Sequence, residues 1–183
     1  MIGSALELFS AHGYSGTGFR DVISHSGAPR GSIYHHFPRG KTELAEEVIR
    51  RNSANFVAHI ENLRPTDPIA VLHAYVEWSR RLLEASGCRA GCAVAAVVLE
   101  AHDGPELFEM ASAGWSAMAD GLAAMLRASG VPRQRASGLG TLTVASLQGA
   151  LVVCRAARDI GPLDAVEREL DHTLRAAIDD ARS

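Results

Sequence analysis

The stretch FRDVISHSGAPRGSIYHHFPRGK, residues 19–41, decides the fold. It holds two short helical patterns that are separated by a turn around Gly27. Pro29 suits the first turn of the second pattern, and Pro38 ends it, because proline lacks the N–H that a helix interior needs. Two helices joined by a short turn containing glycine form a helix-turn-helix unit, whose second helix lies in the major groove of DNA. The stretch therefore predicts a DNA-reading segment.

The second helix of this segment offers both an anchoring face and a polar face. Ile33 and Phe37 are four residues apart, so they predict the face that packs into a core. The other positions can reach base edges or phosphates: a guanidinium, a glycine that permits close approach, hydroxyls and imidazoles. These candidates are Arg30, Gly31, Ser32, Tyr34, His35 and His36. Lys41 opens the next helix, where its charge and the free backbone N–H groups predict a phosphate site.

An alternative interpretation of residues 19–41 is a plain helical hairpin inside an all-α core. Short helix pairs are common, so the pattern alone leaves both interpretations open. The Tyr-His-His cluster that follows Arg30 favours DNA reading, because a helix packed into an ordinary core does not need so many groove-competent polar groups.

Composition excludes a globally basic nucleic-acid binder. The 183 residues carry a formal net charge of −3, with 47% hydrophobic and 21% charged residues, as in globular proteins. Residues 1–41 nevertheless hold four Lys or Arg against two acids, an asymmetry in the direction that DNA binding needs. Three cysteines, an odd number, favour free thiols in a reducing compartment. Since Met1 leads directly into an amphipathic pattern without a signal peptide, we expect a cytoplasmic protein.

Apolar residues at helical spacing, separated by glycine and proline breaks, recur along the whole chain. This pattern predicts an all-α fold of about nine helices without strands. Thr17 is the expected N-cap of the second helix, and Gly13, Gly104-Pro105 and Gly130-Val131-Pro132 are expected breaks. The expected helical ranges are residues 1–12, 17–26, 29–37, 41–63, 69–85, 92–101, 106–129, 133–158 and the C-terminal segment after Gly161-Pro162.

The helix expected at 133–158 is apolar on nearly every side in its centre. Such a helix is buried all round. In a small domain this predicts that one side meets its own core and the other a second subunit. Its apolar run, Thr141–Cys154, is shorter than the roughly 20 residues that span a bilayer. We therefore expect a core helix, a homodimer and no membrane partner.

Most of the large, adaptable side chains fall in the second part of the chain, where apolar pockets between helices are typical ligand sites. Most of them are ordinary core residues in the simplest interpretation. The candidate ligand-binding residues are Tyr75, Trp78, Phe108, Trp115, Met118 and Gln148. Gln148 is a lone amide in an apolar run, so it is expected to hydrogen-bond across the dimer seam or to a ligand, with the seam favoured.

Other groups predict no catalytic, metal or cofactor site. Cys88 and Cys92 lack further ligands for a metal, and the adjacent imidazoles of His35 and His36 diverge on a helix. The segment Glu100–Asp103 is interpreted as a solvated helix end. No catalytic triad, phosphate-cradling glycine loop or zinc motif is present in the sequence.

Taken together, these motifs resemble the TetR (tetracycline-repressor-like) family. The residues that carry the resemblance are 6–9 (LELF), 12–14 (HGY), Thr17, 20–23 (RDVI), 26–27 (SG) and 31–37 (GSIYHHF). Residues 27–32 (GAPRGS), 37–41 (FPRGK), 91–92 (GC) and 99–100 (LE) are similar to the LmrA/YxaF-like branch. Pro29 departs from the family, many members of which have Ser or Thr there, and the chain begins inside the family's first helix, so we expect a preceding segment to be missing.

The resemblance implies a dimeric repressor of all-α subunits that leaves a palindromic operator when a small, largely apolar or aromatic effector binds. It implies a DNA-binding domain over residues 1–45 and a ligand-binding and dimerisation domain over 46–183. The residues that match the family's DNA-contacting positions are Thr17, Arg30, Gly31, Ser32, Tyr34, His35, His36 and Lys41. The alternative is a small all-α ligand-binding protein or enzyme whose helix-turn-helix has no DNA role.

Overall fold

The computed structural model describes residues 1–29, 31–63, 67–102 and 104–182. Within these ranges the chain forms helices and no strand, so the predicted all-α class is confirmed. The helices are α1 (Ile2–His12), α2 (Phe19–Ser26), α3 (Ser32–His36), α4 (Lys41–Leu63), α5 (Pro68–Ser86), α6 (Ala93–Glu100), α7 (Pro105–Ala128), α8 (Arg133–Ala157) and α9 (Gly161–Asp180).

These helices pack into two compact units. The first unit comprises Met1–Asn55 and Ala90–Ser112, and the second comprises Phe56–Arg89 and Ala113–Ser183. Both α4 and α7 therefore begin in the first unit and end in the second. The division of functional domains at residue 45 stays a prediction, and the compact units differ from it because 90–112 packs with the N-terminal residues.

The first unit is built around α1, which packs against α2 and α6. Phe9, Val22 and Ile33, from three different helices, are completely buried. The backbone also ties the two stretches of this unit together, since the Gly91 N–H donates to the Ser10 carbonyl over 2.9 Å. The reading segment thus rests on a core to which residues 90–112 contribute.

The second unit is a packing of α5, α8 and α9, with core residues such as Leu72, Leu147 and Leu174 fully buried. Gly140 brings α8 close to α7, because a Cβ built there would lie 2.3 Å from the carbonyl oxygen of Ala119. Only glycine permits this approach.

One side of α8 is buried and the other is exposed. Leu139, Leu147 and Cys154 are on the buried side, whereas Val152 and Val153 are more than half exposed. By length and composition α8 is apolar enough to cross a membrane, with a mean hydropathy of 1.5. Its packing against α5 and α9 makes it a core helix of the second unit, and its opposite face is the apolar surface expected for a dimer seam.

Salt bridges join α5 to α9, which the sequence shows only as charged faces. His73 Nδ1 lies 2.7 Å from a carboxylate oxygen of Glu167, and His73 Nε2 lies 3.1 Å from one of Asp171. Arg80 donates to Asp164 and Glu167 over 2.7 and 3.1 Å. These contacts of His73 and Arg80 with the acids of α9 fix the register of α5 against α9.

Two local expectations are wrong. Thr17 does not cap α2, which begins at Phe19, because the Thr17 hydroxyl donates backwards to the Gly13 carbonyl over 2.9 Å. Pro29 is not in the first turn of α3, which begins only at Ser32; the Ser32 N–H donates to the Pro29 carbonyl over 3.0 Å in the preceding turn. The other helix limits match the predicted ones or differ from them by at most two residues.

Candidate nucleic-acid interface and sensing core

A tight turn joins α2 to α3. Gly27 ends α2 in the left-handed conformation, with φ +67° and ψ 12°, which glycine adopts without a steric penalty. Beyond it, the Ser26 hydroxyl accepts a hydrogen bond from the Ala28 N–H over 3.3 Å. The conformation at Gly27 and this hydrogen bond therefore follow from the local sequence.

The orientation of α3 agrees with the spacing of its apolar residues. Ile33 is fully buried and Phe37 is 5% exposed, so they anchor the helix to the first unit. Tyr34 is 62% exposed, and His35 and His36 are exposed as well. The three polar rings thus point to solvent, where a duplex can receive them.

Tyr34 is supported from the side by α2. Its ring meets the ring of Phe19 edge-to-face at a centroid distance of 5.5 Å. Such contacts restrict a ring without burying its polar end. The Tyr34 hydroxyl is therefore presented by a side chain that is partly ordered before any partner binds.

The remaining predicted DNA-contacting residues occupy different settings. Gly31 is exposed, and a Cβ built there would meet no heavy atom within 4 Å. Ser32 is half-buried, and its hydroxyl donates to the Pro29 carbonyl over 2.8 Å. Thr17 is 2% exposed, so its side chain supports the α1–α2 turn rather than facing solvent. Arg30 lies outside the described residues.

Lys41 lies at the first position of α4, where backbone N–H groups have no helical partner. Its Nζ is 4.3 Å from the centre of the Tyr14 ring, within the range of a cation–π contact. Burial lowers the pKa of Lys41 from its ordinary value, and the carboxylates of Glu100 and Asp21 partly offset this effect. A cation held beside a helix N-terminus is suited to a phosphate.

Glu100 is a residue whose role the sequence did not reveal. It is half-buried at the end of α6, and its Oε2 accepts a hydrogen bond from the Ser15 N–H over 2.7 Å. The interpretation of this segment as a solvated helix end is therefore wrong for Glu100. His102 is exposed, and Asp103 lies outside the described residues.

Arg39 fixes the corner between α3 and α4. Its guanidinium forms a bidentate pair with Glu46, with N–O distances of 2.9 and 2.7 Å, and its backbone N–H donates to Glu43 over 2.9 Å. The hydrogen bond from Arg39 lowers the pKa of Glu46, whose carboxylate is otherwise nearly buried. The acids at the start of α4 thus hold the end of the reading segment as well as complementing the helix dipole.

Two of the predicted ligand-binding residues meet in the second unit. Gln148 Nε2 donates to the Tyr75 hydroxyl oxygen over 2.9 Å. One N–H of the Gln148 amide is thus bonded within its own subunit, and the expectation that Gln148 bonds across a dimer seam or to a ligand stays a prediction. Its Oε1 is buried and has no hydrogen-bond partner in the described part of the chain.

Aromatic rings from α4 and α5 gather beside this pair. The ring centre of Phe56 lies 4.8 Å from that of Tyr75 and 6.3 Å from that of Trp78. His59 lies 5.3 Å from Trp78, and its Nε2 is 3.3 Å from the Ala74 carbonyl. Ser79, one turn beyond Tyr75, is 1% exposed, and its hydroxyl lacks a partner within the described ranges. Sequence reasoning missed Ser79 because serine on a helix is usually solvated.

The other predicted ligand-binding residues are on α7. Trp115 and Met118 are half-buried in the second unit. Phe108 is 39% exposed and belongs to the first unit. The structure therefore brings Tyr75, Trp78 and Gln148 into one neighbourhood.

The cysteines offer no metal centre. No disulfide joins Cys88, Cys92 and Cys154, and burial raises the pKa of Cys154. No group of three potential metal ligands occurs in the described ranges.

Comparison with known proteins agrees with this geometry. Residues 2–48 match the family described as "Bacterial regulatory proteins, tetR family", and residues 68–169 match "Transcriptional regulator LmrA/YxaF-like, C-terminal domain". The chain belongs to the TetR family. Regulators of this family bind operator DNA and act as dimers, so the chain is a DNA-binding transcriptional regulator.

Individual TetR-family relatives cover nearly the whole chain. The uncharacterized HTH-type transcriptional regulator Rv0196 of Mycobacterium tuberculosis is 36% identical, over 97% of this chain and 94% of its own length. The HTH-type transcriptional regulator LmrA of Bacillus subtilis is 29% identical, over 89% and 88%. These relatives are regulators and not enzymes, so the alternative of a small all-α enzyme is wrong.

Solved TetR-family structures share the fold at low sequence identity. A regulator from Legionella pneumophila superposes with a TM-score of 0.84 at 18% identity, covering 94% of each chain. A regulatory protein from Rhodobacter sphaeroides gives 0.81 at 20%, covering 93% of this chain and 95% of its own. The likeness extends across both compact units taken along the chain.

Proposed function

We propose that this TetR-family regulator is a repressor that binds a palindromic operator as a homodimer and is released by a small, largely apolar or aromatic effector. The DNA-binding part of this proposal rests on the outward placement of Tyr34, His35 and His36 on α3. Ile33 and Phe37 anchor the opposite face of this helix in the core. Recognition helices present such groups to base edges and phosphates.

Dimerisation is supported by the apolar side of α8. Leu142, Val152 and Val153 are 47%, 61% and 52% exposed. Leu142 and Val153 are separated by about three helical turns, so they lie on the same side of α8, and Val152 is adjacent to Val153. Exposed apolar patches of this kind mark interaction surfaces. A two-fold dimer reads a palindrome because two recognition helices about 34–36 Å apart enter successive major grooves.

The effector half is supported by the core around Tyr75. The Phe56, Tyr75 and Trp78 rings provide apolar surface, while the Ser79 hydroxyl and the Gln148 Oε1 are buried polar atoms without partners among the described residues. Each such atom costs about 1–3 kcal/mol when it stays unpaired. An aromatic ligand with a hydrogen-bonding group would satisfy them and favour the subunit conformation in which it binds.

Release then follows from linkage. The distance between the two recognition helices of the dimer can differ between two conformations. An effector that binds preferentially to one conformation lowers operator affinity if the operator binds preferentially to the other. Repression requires no further group from the protein, since a bound dimer blocks transcription by occupying the operator. Such a protein acts in the cytoplasm, where its operator lies.

The DNA half is tested by selecting duplexes from a random-sequence pool with the wild-type chain and measuring affinity by fluorescence anisotropy. Tyr34→Ala is expected to weaken binding by about tenfold or more, since a base contact is worth about 1–3 kcal/mol, while thermal unfolding stays unchanged. Affinity should also fall steeply with salt because phosphate contacts release counterions. Selection of no common sequence would contradict the proposal.

The effector half is tested with a library of small aromatic compounds. Compounds that raise the melting temperature are retained, and the operator titration is repeated at saturating concentration of each. At least one is expected to weaken operator binding, and Ser79→Ala should reduce its affinity. If every stabilising compound left operator affinity unchanged, release by an effector would be wrong.

A further inference from the structure

We propose that Glu100, the last residue of α6, is a positioning residue for DNA binding: its carboxylate holds the turn between α1 and α2, and through Tyr14 it fixes the ammonium of Lys41 for a DNA phosphate. The proposal rests on the proposed function, because it takes Lys41 as a phosphate contact. Glu100 belongs to the first unit together with the reading segment.

The first step joins the carboxylate to the turn. Glu100 Oε2 accepts a hydrogen bond from the Ser15 N–H over 2.7 Å. A Cβ built on Gly13 would lie 2.5 Å from Glu100 Oε1, and Gly13 has a φ of +83°. The backbone conformation thus favours glycine at 13, a Cβ there would push the Glu100 carboxylate away, and the carboxylate lies directly against the turn on both sides of Tyr14.

The second step joins the turn to the Tyr14 ring. This ring meets Phe9 edge-to-face at 5.4 Å, so one side of it rests on the core of the unit. The Thr17 N–H donates to the Tyr14 carbonyl over 3.3 Å, and the Thr17 hydroxyl to the Gly13 carbonyl over 2.9 Å. The turn therefore has hydrogen bonds on one side to Thr17 and on the other to Glu100.

The third step joins the ring to Lys41. The ammonium lies 4.3 Å from the Tyr14 ring centre, a contact that orders an otherwise flexible side chain. The negative charge of Glu100 also favours the protonated lysine, opposing the effect of burial on its pKa. The carboxylate thus acts on the position of the group that meets the phosphate and opposes the lowering of its pKa.

The Glu100 contact joins two stretches that are distant in the sequence. The residue is inside 68–169, the range that matches the C-terminal domain of the LmrA/YxaF-like regulators, yet it packs with residues 1–55.

The test is a double-mutant cycle on Glu100 and Lys41, read out as the salt dependence of affinity for a duplex selected by the wild-type chain. Lys41→Gln is expected to reduce the slope of log affinity against log salt by about one per subunit. Glu100→Ala should reduce it by the same amount and weaken binding about tenfold, and the double variant should show no further reduction. Glu109→Gln, which removes an equal charge from an exposed position of the same unit, should keep the affinity within about twofold.

Glu100→Gln provides a variant that keeps the oxygen acceptor for Ser15. A neutral acceptor forms a hydrogen bond about half as strong as a charged one, so the loss in affinity should be about threefold. Amide exchange of Ser15 should accelerate in the order wild type, Glu100→Gln, Glu100→Ala.

The outcomes separate this inference from the proposed function. Selection of no common duplex would overturn the proposed function and this inference with it, whereas an unchanged slope in Lys41→Gln would remove Lys41 from the DNA interface and overturn this inference alone. A reduced slope in Lys41→Gln with an unchanged slope in both Glu100 variants would overturn the positioning role alone. Additive losses in the double variant would equally show that Glu100 acts through something other than Lys41.

Discussion

The side-chain amide of Gln148 on α8 donates to the hydroxyl oxygen of Tyr75 on α5 over 2.9 Å, while the amide oxygen of the same residue is buried without a hydrogen-bond partner among the described residues. The pair is thus satisfied on one side only. Inside a core, removing one partner of a hydrogen bond costs more than replacing both by apolar groups.

Tyr75→Phe is therefore expected to lower the free energy of unfolding by about 1–3 kcal/mol, because it leaves the amide nitrogen of Gln148 unpaired as well. The double variant Tyr75→Phe with Gln148→Met should recover most of this loss. Urea unfolding followed by circular dichroism measures both. Tyr34→Phe is the matched control, since Tyr34 is 62% exposed, and it should change the stability very little. Equal losses in the single and the double variant would show that the hydrogen bond does not explain the effect.

Gly31→Ala should separate DNA binding from folding. The position has an ordinary helical backbone with φ −81°, and a Cβ there would meet no heavy atom within 4 Å, so nothing in the described structure requires glycine. We expect unchanged or slightly higher stability, because alanine restricts the unfolded chain. Operator affinity should fall at least tenfold if the backbone at 31 approaches the duplex closely.

The matched control for this substitution is Gly27→Ala. Gly27 has a φ of +67°, so alanine is strained there and stability should fall by about 1 kcal/mol. The two alanine variants should thus have opposite effects on thermal unfolding. Full operator affinity in Gly31→Ala would mean that the duplex does not come near this position.

Glu46→Gln should reveal a pH-dependent contribution to stability. In the folded protein the pKa of Glu46 is lowered from its ordinary value of 4.5, mainly by the hydrogen bond from Arg39. A carboxylate with a depressed pKa stabilises the fold above the unfolded value and loses this contribution as the pH falls through the folded value. Wild type should be more stable than Glu46→Gln at pH 7, and the difference should shrink as the pH falls below the ordinary value of 4.5.

The expected difference at pH 7 is smaller than that for Tyr75→Phe, because the Arg39 side chain is 61% exposed and water screens the pair. Glu109→Gln, which changes an exposed acid of the first unit, serves as control and should leave the free energy of unfolding at pH 7 nearly unchanged. A constant difference between wild type and Glu46→Gln from pH 7 to pH 3 would contradict the assignment.

Val152→Asp should convert a dimer into a monomer. Val152 is 61% exposed on the apolar side of α8, and a carboxylate buried against a second copy without a partner is strongly unfavourable. Multi-angle light scattering at micromolar concentration measures the change. Val57→Asp on α4, where the valine is 50% exposed, is the control and should leave the mass unchanged. A dimer that persisted in Val152→Asp would place the seam elsewhere.

The sequence predicted those features that depend on neighbouring residues. The four-residue spacing of Ile33 and Phe37 fixes the orientation of α3, since helix periodicity is local. Gly27 and Pro38 mark the limits of the reading segment for the same reason. Thr17 is a residue for which local sequence is not sufficient. Its hydroxyl can cap the next helix or donate to the carbonyl four residues back, and the structure shows the second of these.

The features that escaped prediction depend on distant partners. Ser15 and Glu100 are 85 residues apart, and Tyr75 and Gln148 are 73 apart. Tyr75 and Gln148 were each singled out from the sequence, but their pairing follows only from the packing of α5 on α8. Ser79 escaped notice because its burial comes from tertiary packing and not from its own helix.

The discontinuity of the first unit has a practical consequence for anyone who wishes to transplant its reading head. Because Ala90–Ser112 completes the core around α1, excising residues 1–55 with one cut would uncover the apolar surface on which α6 rests. A functional graft onto a foreign sensor must carry both stretches, joined by a linker in place of residues 56–89. The same arrangement means that ribosomal synthesis has to pass residue 112 before the N-terminal helices can reach their final packing.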